Sequence, residues 1–134
     1  MTNSLPYLWI EIPPVPGCSI TVSGPFKSTT LKAVIDTGAS HTAIPDYLIG
    51  QLGLRKISDR AMTISGPEIP QTEADLYHAR LSFLDLELHQ AVVPCPWREV
   101  LIGRDILSKW LLLLGGPNQQ FTFEVIEDRL QQGK

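Results

Sequence analysis

The chain has 134 residues, 43% of them hydrophobic and 19% charged, with a formal net charge of −3. That length suits one domain spanning residues 1–134, able to bury roughly 68–70% of its unfolded surface in a core of its own. The balance excludes a disordered segment. It also argues against nucleic acid as a partner, since no basic cluster exceeds Arg55-Lys56. The longest apolar run, residues 110–114, is too short to cross a bilayer, so no membrane partner is expected. Residues 1–6 lack the basic and apolar regions of a secretory signal. Cys18 and Cys95 stand in no CxxC pair, which fits neither a disulfide framework nor a zinc site. Free thiols in a reducing compartment follow, and a cytoplasmic location is the expectation.

Eleven prolines and ten glycines predict many short elements joined by turns. Residues 7–12 alternate around two aromatics and read as a strand stopped by Pro13-Pro14; residues 18–23 alternate as a half-buried strand. Residues 31–35 are mostly apolar, fitting a strand covered on both faces, and deliver Asp36-Thr37-Gly38 into a turn. Leu48, Ile49 and Leu52 recur at helical spacing, with Asp46 as candidate cap and Gly53 as the stop. A strand over 61–65 is followed by Gly66-Pro67 and a polar stretch to Asp75. Strands are predicted over 76–84 and 86–93, with Asp85 in a tight turn between them. Val100-Leu101-Ile102 is a further apolar strand, residues 104–110 a short helix, and residues 111–114 with 121–126 a last hairpin. About eight strands and two helices make an all-β domain.

The chemistry concentrates in Ala33-Val34-Ile35-Asp36-Thr37-Gly38-Ala39-Ser40. A buried strand ending in a carboxylate and turning through Thr-Gly presents an acid at the floor of a cleft, and Gly38 permits close approach of another backbone. This segment resembles the active-site loop of the aspartic proteases, and among them the single-domain retropepsin-like group. The match extends to Leu101-Ile102-Gly103-Arg104-Asp105, which resembles the family's second motif. There, an apolar-apolar-Gly strand is followed by Arg-Asn or Arg-Asp opening a helix. Only these two motifs are specific, although order and spacing agree over most of the chain. The resemblance implies a retropepsin-like acid protease fold, a closed β-barrel-like domain with a short helix after Leu-Ile-Gly, working as a two-fold symmetric dimer.

The same resemblance implies a function. Aspartic proteolysis holds two carboxylates about 3 Å apart sharing one proton. One takes a proton from water, which attacks the peptide carbonyl that the other polarises. This chain carries one Asp-Thr-Gly, and Asp46, Asp59, Asp75, Asp85, Asp105 and Asp128 lack that context. A homodimer with one Asp36 from each chain is therefore implied, cleaving a peptide or protein substrate with no metal and no other cofactor. Asp36 would be catalytic, and Thr37, Gly38, Ala39 and Ser40 would form the active-site and substrate-binding loop. Thr37 would brace the two loops across the dimer, and the Gly38 carbonyl would accept from the substrate backbone. Leu101, Ile102, Gly103 and Arg104 would support the loop from below; for Arg104 a plain surface arginine at a helix start is the other reading. Ser65, Gly66 and Pro67 are candidates for the bend of a flap closing over substrate, an ordinary surface loop being the alternative.

Two departures stand out. Retroviral members usually carry an Asp that pairs with the arginine where this chain has Ser40, so Arg104 needs another partner. Retroviral chains also end soon after the Arg-Asn helix and weave their tips into a shared sheet, whereas this one continues to Lys134. Residues 111–114 and 121–125 are the candidate dimer contact. His41, His78 and His89 show no metal-ligand spacing and read as exposed or hydrogen-bonded histidines, and no serine lies in GxSxG. A catalytically inactive module that keeps the fold for dimerisation or peptide binding, or one half of a heterodimer, remains the rival reading.

Overall fold

The computed structural model describes residues 3–57, 62–66 and 69–126. In chain order the elements are β1 (Asn3–Pro6), β2 (Gly17–Ser23), β3 (Ser28–Ile35), β4 (Ala43–Pro45), α1 (Tyr47–Leu52), β5 (Arg55–Lys56) and β6 (Met62–Gly66). They continue as β7 (Ile69–Ala74), β8 (Tyr77–Phe83), β9 (Leu86–Cys95), β10 (Val100–Ile102), α2 (Arg104–Leu107), β11 (Trp110–Gly115) and β12 (Gln120–Val125). The protein is all-β, as the count of predicted strands and helices indicates.

Six strands close a barrel in the order β2-β3-β10-β4-β9-β8, with β8 pairing back onto β2 and β5 appended to β8. Alternation decides which side chains fill it. Cys18, Ile20 and Val22 of β2, and Ala79, Leu81 and Phe83 of β8, are buried at every second position. They pack with Ala33, Ile35, Leu48, Leu52, Val100 and Ile102 in one continuous core. Burial of this apolar surface drives closure, at roughly 25 cal/mol per Å² removed from water.

The terminal elements form a second sheet, ordered β1-β12-β11. Phe121 and Phe123 point inward from β12, and the Trp110 ring stacks on Phe123 with centroids 4.3 Å apart. The expectation that residues 121–125 offer a contact surface is thus corrected at these two side chains, which are core. β11 differs, because Leu111 and Leu113 stand 63% and 68% exposed on its outer face.

Other expectations shift for identifiable reasons. The first strand lies at Asn3–Pro6, paired with β12, and residues 7–12 contribute only a bridge between Leu8 and Val15. Tyr7 packs against the core beside Phe121, but the rest of the alternation faces water, with Trp9 66% and Ile12 91% exposed. Asp46 does not cap α1: its backbone is already helical, and its side chain makes no capping hydrogen bond. Gly53 does end α1, in the left-handed conformation at φ 68° that glycine adopts without strain. The helix after Gly103 is shorter than predicted because Trp110 leaves it to start β11 and reach Phe123. The polar stretch before Asp75 holds β7, paired antiparallel with β6.

Both cysteines are free and buried. Burial pushes the Cys18 thiol from an ordinary 9.0 up to about 11, with nearby Lys32 pulling weakly the other way. Burial raises Cys95 as well. Neither thiol should react with a maleimide or a disulfide reagent at neutral pH until the protein unfolds, a difference that mass spectrometry with and without denaturant will show. A folded pKa above the unfolded one means the unfolded chain loses its proton first. This contribution to stability is therefore complete below about pH 9 and declines towards pH 11, which denaturant titrations across that range will measure.

Candidate active site

The site begins where β3 runs parallel to β10, with Ala33 beside Val100, Val34 beside Leu101 and Ile35 beside Ile102. Two motifs far apart in sequence thus become neighbours. The Ile35 N–H donates to the Pro16 carbonyl at 2.9 Å, and the Asp36 N–H donates to the Ile102 carbonyl at 3.0 Å. The chain is anchored up to the carboxylate-bearing residue and turns immediately after it. The Gly38 N–H donates to Asp36 Oδ1 at 3.0 Å, and the Ala39 N–H donates to the Asp36 carbonyl at 3.2 Å. This is the turn that Asp favours by hydrogen-bonding backbone two residues on. Asp36 is half-buried, Thr37 and Gly38 are exposed at the tip, and Ala39 is buried beneath it.

The second motif holds the underside of this loop. Gly103 lies so close that a Cβ there would sit 2.6 Å from the His41 carbonyl carbon and 3.0 Å from the Ala39 oxygen. Both obstacles are backbone, so only glycine fits. Gly103→Ala should cost about 1–3 kcal/mol by overpacking and displace the loop, lowering the melting temperature measured by circular dichroism. Next, the Arg104 N–H donates to the Ala39 carbonyl at 2.8 Å, and Arg104 Nη1 donates to the Thr37 carbonyl at 2.9 Å. Arg104 is exposed by area, yet it ties α2 to the loop tip. Its partner is backbone, which answers how the chain manages with Ser40 in place of an acid. Ser40 Oγ is instead within 2.9 Å of His41 Nδ1.

One cluster escaped the sequence reading. Asp105, placed among the aspartates without catalytic context, gathers donors from three directions. The Thr42 N–H reaches both carboxylate oxygens at 3.0 Å, and Thr42 Oγ1 donates to Oδ1 at 2.7 Å. Gln90 Nε2 donates to Oδ2 at 3.1 Å, and the Ile106 N–H donates to Oδ1 at 2.9 Å. Thr42 is fully buried, and its hydroxyl also accepts from the Gly103 N–H at 3.1 Å. Asp105 thereby joins β9, the end of the active-site loop and α2. The available signal was a hydroxyl residue, Thr42, leading directly into the apolar Ala43-Ile44, where a buried polar group requires a partner.

Leu101 and Ile102 are buried in β10, with Leu101 also paired to Ala43 of β4. Ser65 and Gly66 lie in β6, which pairs antiparallel with β7, and Gly66 pairs with Ile69. Pro67 falls outside the described residues. Among the described residues no group of three His, Cys, Asp or Glu side chains is gathered for a metal.

A protein-family profile, described as "gag-polyprotein putative aspartyl protease", matches residues 22–109. The chain belongs to this family. Simian foamy virus protease is similar in structure, with a TM-score of 0.51 and 20% identity over 69% of this chain and 92% of that one. The protease of EIAV, solved with an inhibitor, aligns with a TM-score of 0.55 and 17% identity over 78% of this chain and 92% of that one. A foamy viral protease-reverse transcriptase aligns at 0.50 and 19% identity over 69% of this chain and 12% of that one. No curated protein sequence matches. At these identities the structures establish the fold, that of the retroviral proteases.

Proposed function

We propose that the protein is a homodimeric aspartic endopeptidase in which one Asp36 from each chain activates the water that hydrolyses an extended peptide. The observation that carries this reading is the bracing of Asp36. Its loop is tied at Asp36 to β10 and at Thr37 and Ala39 to Arg104, so the carboxylate sits on a rigid frame at an exposed turn. Rigid placement before substrate arrives is what acid–base catalysis needs. Asp105, the carboxylate of the second motif, is committed to Thr42, Gln90 and Ile106. A second Asp36 is then the natural partner acid, and it requires a second chain.

In this reading Thr37 and Gly38, exposed at the tip, meet the partner loop and the substrate backbone. The β6–β7 hairpin serves as the flap. The outer face of β11, with Leu111 and Leu113, offers the dimer an apolar surface. Two buried free thiols suit a reducing compartment, and we place the protein in the cytoplasm.

Dilution tests the shared site. Cleavage of a diverse peptide library should fall in specific activity as protein is diluted through the dimer dissociation constant, with sedimentation reporting the oligomer in parallel. Specific activity that stays constant in a monomeric sample overturns the shared dyad. An intact dimer that cleaves nothing in the library supports the binding-module rival.

A further inference from the structure

The aspartic site leaves unused a pair of histidines on the outer face of the barrel. His78 of β8 and His89 of β9 lie diagonally across the hairpin, because His78 pairs with Ala91 and Arg80 pairs with His89. Both are exposed. Their ring planes lie 20° apart with centroids 5.2 Å apart, and their facing nitrogens, His89 Nδ1 and His78 Nε2, are 3.2 Å apart.

We propose that His78 and His89 chelate a divalent transition-metal ion through these two nitrogens, at a site separate from Asp36. Imidazole nitrogens bind Zn²⁺ at about 2.0–2.1 Å. Two nitrogens 3.2 Å apart, each at that distance from one ion, subtend an angle of about 100° at the metal, close to tetrahedral. The separation is therefore already that of two ligands in one coordination sphere. Two adjacent, regularly paired strands carry the residues, so the backbone need not move to bring the nitrogens together. At this separation one ring donates N–H to the other. Binding requires both facing nitrogens to be bare, which a tautomer change in the donor ring achieves by moving its proton to the far nitrogen.

The surroundings restrict the ion. Arg55 of β5 pairs opposite His78, and Arg80 pairs opposite His89, so the neighbourhood is cationic. Arg80 is partly offset by Glu87 at 3.7 Å, and Lys56 by Asp75 at 3.5 Å. Hard cations that depend on carboxylate charge, such as Ca²⁺ and Mg²⁺, find no reason to bind here. Ions that bond strongly to neutral imidazole, namely Zn²⁺, Ni²⁺ and Cu²⁺, do. With two protein ligands, the remaining positions belong to water.

The test is a calorimetric titration of the whole protein with Zn²⁺ alone and with Ni²⁺ alone, followed by NMR of the histidine ring nitrogens. Saturable binding that moves the His78 and His89 signals is expected, with no comparable response to Mg²⁺. His78→Ala and His89→Ala, both on exposed positions, should each weaken binding at least about tenfold. His89→Gln separates the two roles of the pair, since its side chain can still hydrogen-bond to His78 yet ligates poorly; it should lose the metal as His89→Ala does. Absence of saturable binding up to millimolar metal overturns the proposal. So does binding that any of the three substitutions reduces by less than tenfold.

Discussion

Asp36→Asn is expected to abolish peptide cleavage, lowering the rate at least about ten-thousandfold, while the protein stays folded. An amide can neither take the proton from water nor return it to the leaving nitrogen. The fold should tolerate the change because the asparagine Oδ1 can still accept the Gly38 N–H that Asp36 Oδ1 accepts at 3.0 Å. Self-association should be equal or stronger, since two facing amides do not repel as two carboxylates do. Mixing parent and Asp36→Asn chains sharpens the test. If each active site draws one acid from each chain, activity follows the square of the parent fraction, so an equal mixture retains about one quarter. Cleavage by pure Asp36→Asn at the parent rate removes Asp36 from the mechanism. A mixture that loses activity only in proportion to the variant fraction removes the shared site.

What was legible in the sequence follows the range of the interactions involved. The apolar run at 31–35, the Asp-Thr-Gly turn and Val100-Leu101-Ile102 announce themselves locally, because buried strands and glycine turns impose composition on their own residues. That β3 and β10 run side by side in parallel is a long-range pairing, readable only through resemblance to a family that shares it. The first strand was misplaced for the opposite reason. Residues 7–12 have the better strand pattern, yet Ser4-Leu5-Pro6 holds the free edge of β12, and edge pairing outweighs local alternation. The same holds for β7, whose polar, proline-containing segment is a strand because β6 pairs with it. Arg104 was legible as a tie to the active-site loop, but its acceptor, the Thr37 carbonyl, was not, since any residue could supply it. Asp105 was hidden further still, because three of its donors come from Thr42 and Gln90 on other elements.

Asp105→Ala should therefore destabilise the protein far more than its place on a short surface helix suggests. The substitution leaves the Thr42 N–H and hydroxyl, fully buried, without their acceptor, while the half-buried Gln90 amide keeps only its hydrogen bond to the Ala91 carbonyl at 3.2 Å. Each buried donor stranded in this way costs about 1–3 kcal/mol, and together they point to a loss of about 3–5 kcal/mol. Set against the 5–15 kcal/mol typical of a whole domain, that lowers the melting temperature by on the order of 10 °C. Asp105→Asn should do less harm. It keeps one acceptor oxygen for Thr42, and Gln90 can rotate its amide to present oxygen to the new NH₂ group. Thr42→Val should fall between them, because it removes the hydroxyl that donates to Asp105 and accepts from the Gly103 N–H. Since Gly103 and Arg104 hold the Asp36 loop from α2, the same variants should lose cleavage activity at temperatures where they remain folded. Thermal melts and peptide cleavage on the three proteins measure both effects. An Asp105→Ala protein that melts with the parent would mean the cluster does not anchor the loop. One that melts early but cleaves normally when folded would confine Asp105 to stability and leave the positioning of Asp36 to Arg104 alone.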